Sequence, residues 1–327
     1  MKIGKVSENV LKRSVLKEIK TNREEIIIGA GVGEDCAVLA LKEDEVFVTS
    51  TDPITGATKD IGRLAVHVTA NDLASSGAEP VGMLISALLP QEVTEEELKE
   101  MMHQVCEEAA GLNIQIMGGH TEITDAVIRP VLTVTGVGKA KKDAYIITGA
   151  AKPGQDIVVS KWIGLEGSSI LAKEKKEELL SRYPLGFINE AAGFDRYLSV
   201  VPEAAVAVKT GVSAMHDVTE GGIFGALWEM AESSGVGLEV ELMKIPIRQE
   251  TVEICNFFDI NPYGLISSGA MLMVSDNGHE LVAALEKAGI HASLIGKTTN
   301  SCDRVVINKE EKRFLEPPKS DELYKII

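Results

Sequence analysis

Basic residues are scarce in this chain. Lys and Arg number 33 against 49 Asp and Glu, which leaves a net charge of −16. A nucleic-acid binder presents a basic face, and anionic membrane surfaces repel so acidic a chain. Neither nucleic acid nor membrane is therefore an expected partner. Aromatic residues make up only 4%, so small aliphatic side chains must fill the core, as in many α/β proteins. The four cysteines, at positions 36, 106, 255 and 302, form no CxxC pair, which argues against a structural zinc site and a disulfide framework. No apolar run reaches the roughly 18 residues needed to span a bilayer. The opening "MKIGKVSENVLKRSVLKEIK" is polar and amphipathic, unlike a secretory signal. These absences together predict a reduced, cytoplasmic protein.

The 327 residues suffice for about two domains, and the 45% hydrophobic content is that of a globular chain. A charged, then turn-rich stretch over 139–154 marks a boundary, giving domains 1–150 and 151–327. In the first, 46–51 ("VFVTST") predicts a strand ending at Asp52. A helix follows over 60–76, with Ile61, Leu64, Ala65 and Val68 as its apolar stripe and Gly77 just past its end. A buried strand is expected over 81–90. Thr94 with Glu97 forms a capping box for a helix that buries Leu98, Met101, Met102, Val105 and Ala109. Strands follow over 114–119 and 127–138, the latter holding Pro130. In the second domain, strands are expected at "IVVSKWIG", "AAVAV" (204–208), "LEVEL" (238–242) and "AMLMVS" (270–275). Helices are expected over about 167–198, in "EGGIFGALWEMAESSG" and in "GHELVAALEKAG". Alternating strands and helices in both halves give an α/β (α+β) class.

The acids then draw the eye. Asp72 falls four residues after Val68 on the apolar stripe, where a carboxylate is costly unless paired or metal-bound; a loop position facing water is the alternative. Asp52 stands at a strand end, where α/β proteins place ligand sites, although Asp52-Pro53 also makes a simple turn. Glu34 and Asp35 sit in "GVGEDCAVL" beside two glycines, and Gly and Asp are also ordinary turn formers. Glu122 lies in "GGHTE", where glycines let backbone approach a ligand. Carboxylates converging in one cleft repel each other and any anionic substrate, and a divalent cation relieves both. Mg²⁺ takes one or two carboxylates together with substrate phosphates, so the pattern suggests a nucleoside triphosphate brought in with its metal, its phosphates held by backbone N–H groups. No Walker A motif and no helix-opening GxGxxG occurs. In the second half, His216, Asp217, Thr219 and Glu220 crowd before Gly221 and Gly222. Asp217 or Thr219 could be the N-cap, or the group could contact a phosphate. Cys36 reads as a small core residue, its acidic neighbours arguing against a nucleophile. His67 and His103 read as structural or exposed.

Taken in order, "GVGEDCAVL", "TSTDPITG", "AVHVTANDLASSGAEPVGML", "GGHTEIT" and "HDVTEGG" resemble the aminoimidazole ribonucleotide (AIR) synthase superfamily over nearly the whole chain. "NDLASSGAEP" and "GGHTE" are most similar to its hydrogenase maturation branch, HypE. The resemblance implies two α/β domains and a homodimer whose N-terminal domains share a β-barrel, with ATP and Mg²⁺ bound. It implies that Asp35, Asp52, Asp72 and Glu122 bind the metal or phosphates, and that Asp35, Asn71, Gly118, Gly119, His120 and Thr121 line the nucleotide. Asp72, His216 and Asp217 would be catalytic, and a hydrogenase-maturation partner is implied. There are departures. The sequence closes on "SDELYKII" with its last cysteine at 302, so the branch's terminal-cysteine chemistry is not expected from these residues. Ser268 stands where the branch has an acid before a glycine, and Glu34 replaces the first Asp of the usual "GDD". A small-molecule kinase or cyclo-ligase of the same superfamily, or a non-catalytic nucleotide-binding dimer, are the alternative expectations.

Overall fold

The computed structural model describes residues 3–31, 36–55, 60–317 and 320–327. It divides into two compact units, 1–74 with 78–145, and 75–77 with 146–327.

The first unit runs β1 (Gly4–Lys5), α1 (Glu8–Ser14), β2 (Ile26–Ile28), β3 (Val38–Leu39), β4 (Glu45–Ile54), α2 (Ile61–Ser75), β5 (Glu79–Leu89), α3 (Glu95–Gly111), β6 (Gln115–Ile123) and β7 (Val131–Lys141). Its main sheet has the order β1-β6-β5-β7-β4. Only β5 and β6 pair in parallel, and α3 is the crossover that a parallel connection needs. The capping box at Thr94 forms as expected, with both reciprocal hydrogen bonds to Glu97.

The position of α2 follows from two glycines. A Cβ at Gly62 would lie 2.6 Å from the Met101 carbonyl oxygen of α3, and one at Gly136 of β7 would lie 2.6 Å from Thr69 Cγ2. Both sites lack a side chain, so α2 packs closely between sheet and α3, buried on most of its surface. Gly77, with φ of 69°, lets the chain leave the helix in the left-handed region.

The second unit runs β8 (Asp156–Ser160), α4 (Leu165–Glu174), α5 (Lys176–Leu179), α6 (Leu185–Ala192), α7 (Val201–Thr210), β9 (Ala214–Val218), α8 (Gly222–Ser234), β10 (Gly237–Glu241), α9 (Gln249–Phe258), β11 (Ala270–Ser275), α10 (Gly278–Lys287), β12 (Ala292–Thr299), β13 (Arg304–Asn308) and β14 (Glu311–Phe314). Its sheet has the order β14-β13-β10-β12-β8-β11-β9. Helix α8 turns Ile223, Ala226, Leu227, Met230 and Ala231 inward, as its spacing predicts.

Several expectations fail locally. "AAVAV" is not a strand; it lies in α7, which carries Pro202 in its first turn and ends at Gly211 with φ of 90°. Those two punctuation marks, typical of a helix start and stop, outweigh the valines. Asp52 lies inside β4 and does not end it, and Gly118 to Glu122 lie inside β6. The stretch 167–198 is three short helices and a 3-10 turn. Cys36 is exposed, not a core residue.

Candidate functional site

Strand pairing sets the geometry of the first unit. Ser50 of β4 lies opposite Gly136 of β7, and Asp52 opposite Val134. Directly opposed residues share a face, and Val134 and Gly136 are on the buried face beneath α2. Ser50 and Asp52 therefore point toward the helix. The Ser50 hydroxyl hydrogen-bonds with the Asp72 carboxylate, and it lies 3.3 Å from Asp52 Oδ2. Asp72 is thus inside α2, half-buried, and bridged to Asp52 through one hydroxyl. Asn71, its neighbour, is fully buried.

Along β6, Thr121 and Ile123 are buried while His120 and Glu122 turn to the other face. His120 Nε2 lies 3.2 Å from Glu122 Oε2. Glu122 consequently stands on the face opposite Asp52 and three strands away along the sheet. Among the described residues no group of three or more His, Cys, Asp or Glu side chains is placed to hold a metal ion. Asp52 and Asp72 come together, Glu122 does not join them, and Asp35 (with Glu34) lies outside the described residues.

A cavity of about 90 Å³ is lined by Gly29, Ala30, Gly31, Cys36, Leu84, Met102 and Gly118 to Thr121, among others. Both flanks of the "GVGEDC" loop, Gly31 and Cys36, thereby meet the "GGHT" run. At Gly119, φ is 147°, and a Cβ would collide with the Ile85 carbonyl oxygen. Glycine is thus required here by the close approach of the β5 backbone.

In the second unit, His216 and Asp217 lie on β9, ahead of the turn rather than in it. His216 Nε2 lies 3.0 Å from Glu229 Oε2 of α8. Asp217 is buried, at 4% exposure. Neither Asp217 nor Thr219 caps α8: its N-cap is Gly221, with φ of 85°. The carboxylate at that end comes from Asp321, a hundred residues later, whose Oδ2 accepts the Gly221 N–H at 2.7 Å. Asp321 Oδ1 also accepts from Ile266 N at 3.2 Å and Leu323 N at 2.8 Å.

Sequence reasoning missed both Asp321 and Glu166. Glu166, in the first turn of α4, is 5% exposed, and Ser268 nearby is 1% exposed. Neither Glu166 Oε2 nor Ser268 Oγ completes a hydrogen bond of normal geometry. Burial, with Asp321 and Asp217 adding to it, pushes the Glu166 carboxyl up to about 7, partly offset by the Ser268 hydroxyl and backbone. Burial likewise raises Asp321, against its three backbone donors. Ser268 itself was a visible signal, an unexpected residue at an acid's place, but nothing local tied it to Glu166.

Comparison with known proteins agrees with this architecture. The model of the AIR synthase related protein N-terminal domain matches residues 33–140, and that of the C-terminal domain matches 152–308. A putative hydrogenase expression/formation protein of Methanocaldococcus jannaschii is 27% identical over 99% of this chain and 97% of its own. The carbamoyl dehydratase HypE of Rhodobacter capsulatus is 28% identical over 75% of this chain and 69% of its own. Among solved structures, a hydrogenase maturation protein HypE in complex with ATP superposes with a TM-score of 0.79, at 21% identity, over 96% of this chain and 95% of that one; this last likeness is one of fold. With both halves matched in order along a two-unit α/β fold, the chain belongs to the AIR synthase related family.

Proposed function

We propose that this protein is an ATP- and Mg²⁺-dependent enzyme of the HypE type, activating an oxygen of an amide-like or small acidic substrate. The observation that carries the reading is the Ser50-bridged pair of Asp52 and Asp72. Two carboxylates on one side of a hydroxyl suit Mg²⁺, which takes one or two carboxylates and completes its shell with water and phosphate oxygens. The cavity that Gly118 and Gly119 line together with Gly31 and Cys36 is the place this reading gives to the nucleotide. ATP supplies a phosphoryl group that turns a poor leaving oxygen into phosphate.

In this reading Asp52 and Asp72 hold the metal and Ser50 fixes their spacing. Asn71, buried next to Asp72 in the helix, with His120 and Thr121, lines the nucleotide, and Asp35 joins the acidic set, whereas Glu122 stands on the other face of the sheet. Within the second unit, His216, 3.0 Å from Glu229 Oε2, and Asp217 are the residues this reading assigns to catalysis. The names of the two relatives support a carboxamide substrate and a hydrogenase-maturation partner. The proposal includes a homodimer. β4 ends the sheet order, and its outward row of Phe47, Thr49, Thr51 and Pro53 is exposed, with Phe47 at 51%. Such an open edge asks for a covering strand or a second copy. Four free cysteines suit a reducing compartment such as the cytoplasm.

Calorimetric titration with ATP, with and without Mg²⁺, tests the reading on the parent chain and on Asp72→Asn. Metal-dependent binding that Asp72→Asn abolishes is the expected result. Equal affinity and turnover in the variant, or binding indifferent to Mg²⁺, overturns the assignment.

A further inference from the structure

The second unit holds a cavity of about 610 Å³ that the reading above does not use. Small-molecule sites take roughly 300–1,000 Å³, so there is room for a ligand. The apolar side is made by Phe224 of α8, Leu242 just after β10, Tyr263 and Leu315, all half-buried and all seated on the hydrophobic core of the unit. The core fixes these side chains from below and leaves their outer surfaces to the cavity. The Phe224 and Tyr263 rings lie nearly parallel, with centroids 5.1 Å apart and 11° between their planes. The chain has only seven Phe and five Tyr, and three of them line this cavity, the third being Phe314, which is 69% exposed. Gly221, the N-cap of α8, and Gly225 one turn on also line it. Residues four apart share a helix face, so beside Phe224 the helix adds no side chain that would fill the space.

The polar rim is of two kinds. Its charged groups have counterparts: Arg313 donates to Glu311 Oε2 at 3.1 Å, and Glu322 pairs with Lys325 at 2.6 Å and accepts from Asn261 N at 3.0 Å. Its neutral groups are less committed. Asn261 gives its Oδ1 to the Tyr263 N–H at 3.1 Å, and among the described residues no hydrogen bond holds the Tyr263 hydroxyl or the Asn308 side-chain amide. We propose that this cavity binds an uncharged planar heterocycle with a lactam edge, that is, adjacent ring C=O and N–H groups, as in uracil or hypoxanthine. A side-chain amide carries a donor and an acceptor side by side, which complements such an edge, and the Tyr263 hydroxyl can give or take one further bond. The parallel rings offer a flat aromatic surface, and stacking on it accepts any planar ring, so the neutral polar groups supply the selection. A free anion suits the rim poorly, because Arg313 is already matched and Glu316 and Glu322 stand beside it. The cavity lies wholly within the second unit, so the proposal stands whether or not ATP binds the first.

Uridine and inosine, which carry no phosphate, are the probes. Benzyl alcohol serves as a ring without the edge, and inorganic phosphate as an anion. Each is titrated onto the whole chain by calorimetry up to millimolar concentration, and hydrogen exchange read by mass spectrometry locates it. At least one nucleoside is expected to bind and to slow exchange in peptides covering 222–228 and 305–315, with benzyl alcohol weaker and phosphate without effect. Tyr263→Ala is expected to weaken the nucleoside roughly 5- to 100-fold, the range for losing one stacking ring. Asn308→Ala changes the rim and leaves the packed rings in place, so it guards against a loss that is merely of folding. It is expected to weaken the nucleoside roughly 2- to 10-fold and to leave benzyl alcohol unaffected. Any of four results overturns the proposal: no binding of either nucleoside, equal or tighter binding of benzyl alcohol or phosphate, protection confined to 29–31 and 118–121 of the first unit, or unchanged nucleoside affinity in Asn308→Ala.

Discussion

Replacing Glu166 by Gln should change how the stability of the second unit depends on pH. The carboxyl stands at about 7 in the folded chain against the 4.5 of an ordinary Glu. At about 1.4 kcal/mol per pH unit, that difference is worth about 3 kcal/mol. The sign follows from proton counting. Between the two values the folded state keeps a proton that the unfolded state has released, so stability falls as pH rises. The full contribution is present below 4.5 and is gone above about 7. Gln keeps the shape and a donor but has nothing to ionise. The variant should therefore gain on the parent by about 3 kcal/mol between about pH 4.5 and mildly alkaline pH, whatever its absolute stability. Both tryptophans, Trp162 and Trp228, lie in the second unit, so fluorescence-detected urea unfolding reports that unit. Titrating groups that do not interact with Glu166 cancel in the difference between the two proteins. Parallel stability profiles for parent and variant would refute the claim that Glu166 is buried as a neutral acid.

Four further outcomes follow from named contacts. Glu203→Ala removes the partner of Lys161, a buried pair 2.6 Å apart whose ammonium also donates to Tyr197 O and Ser199 O; a loss of about 3–5 kcal/mol in the same urea assay is expected, and a loss under about 1 kcal/mol would show that the carbonyls suffice. Gly62→Ala forces a methyl against the Met101 carbonyl of α3 and should lower first-unit stability by about 1–3 kcal/mol, read by hydrogen exchange in α2 and α3. Gly119→Ala drives a Cβ into the Ile85 carbonyl at a positive φ; it should unzip the β5–β6 ladder locally and weaken ATP binding, and unchanged binding would remove that loop from the nucleotide site. The exposed Cys36 thiol lines the first-unit cavity, so in a Cys302→Ser background its alkylation should slow when Mg·ATP is added. An unaltered rate would place the nucleotide elsewhere.

How legible was all this in the sequence? The elements with strong local signals were read correctly: the Thr94 capping box, the inward face of α8, and α2 through to Asp72. Spacing left Asp72 between the apolar stripe of a helix and a water-facing loop, and the run of α2 to Ser75 with the bond to Ser50 decides for the helix. "AAVAV" misled because an alanine-valine run suits either state, and only its flanking Pro202 and Gly211 decide it. Asp321 and Glu166 were invisible for a different reason. Asp321 caps a helix that begins a hundred residues earlier, and no local pattern predicts a capping group from so far along the chain.

The case of Glu122 shows where motif reading and geometry part. As text, "GGHTE" and "TSTDP" look like two loops that could close on one metal. As structure, both acids sit within strands, where neighbouring side chains alternate between faces. Thr121 and Ile123 take the buried side of β6, so Glu122 cannot share it; Asp52 takes the helix side of β4 because its cross-strand partner Val134 does. A one-residue slip in either strand would reverse the outcome, and the burial of Ile123 and Leu132 at 0% exposure forbids that slip. Glu122 therefore stands apart from the metal that Asp52 and Asp72 would hold. Glu122→Gln should then leave the Mg²⁺ dependence of ATP binding in place, whereas Asp52→Asn should weaken it. The reverse ranking, measured by titrating each variant with Mg²⁺ at fixed ATP, would mean that the Ser50-bridged pair is a structural contact and that the metal belongs to the His120–Glu122 face.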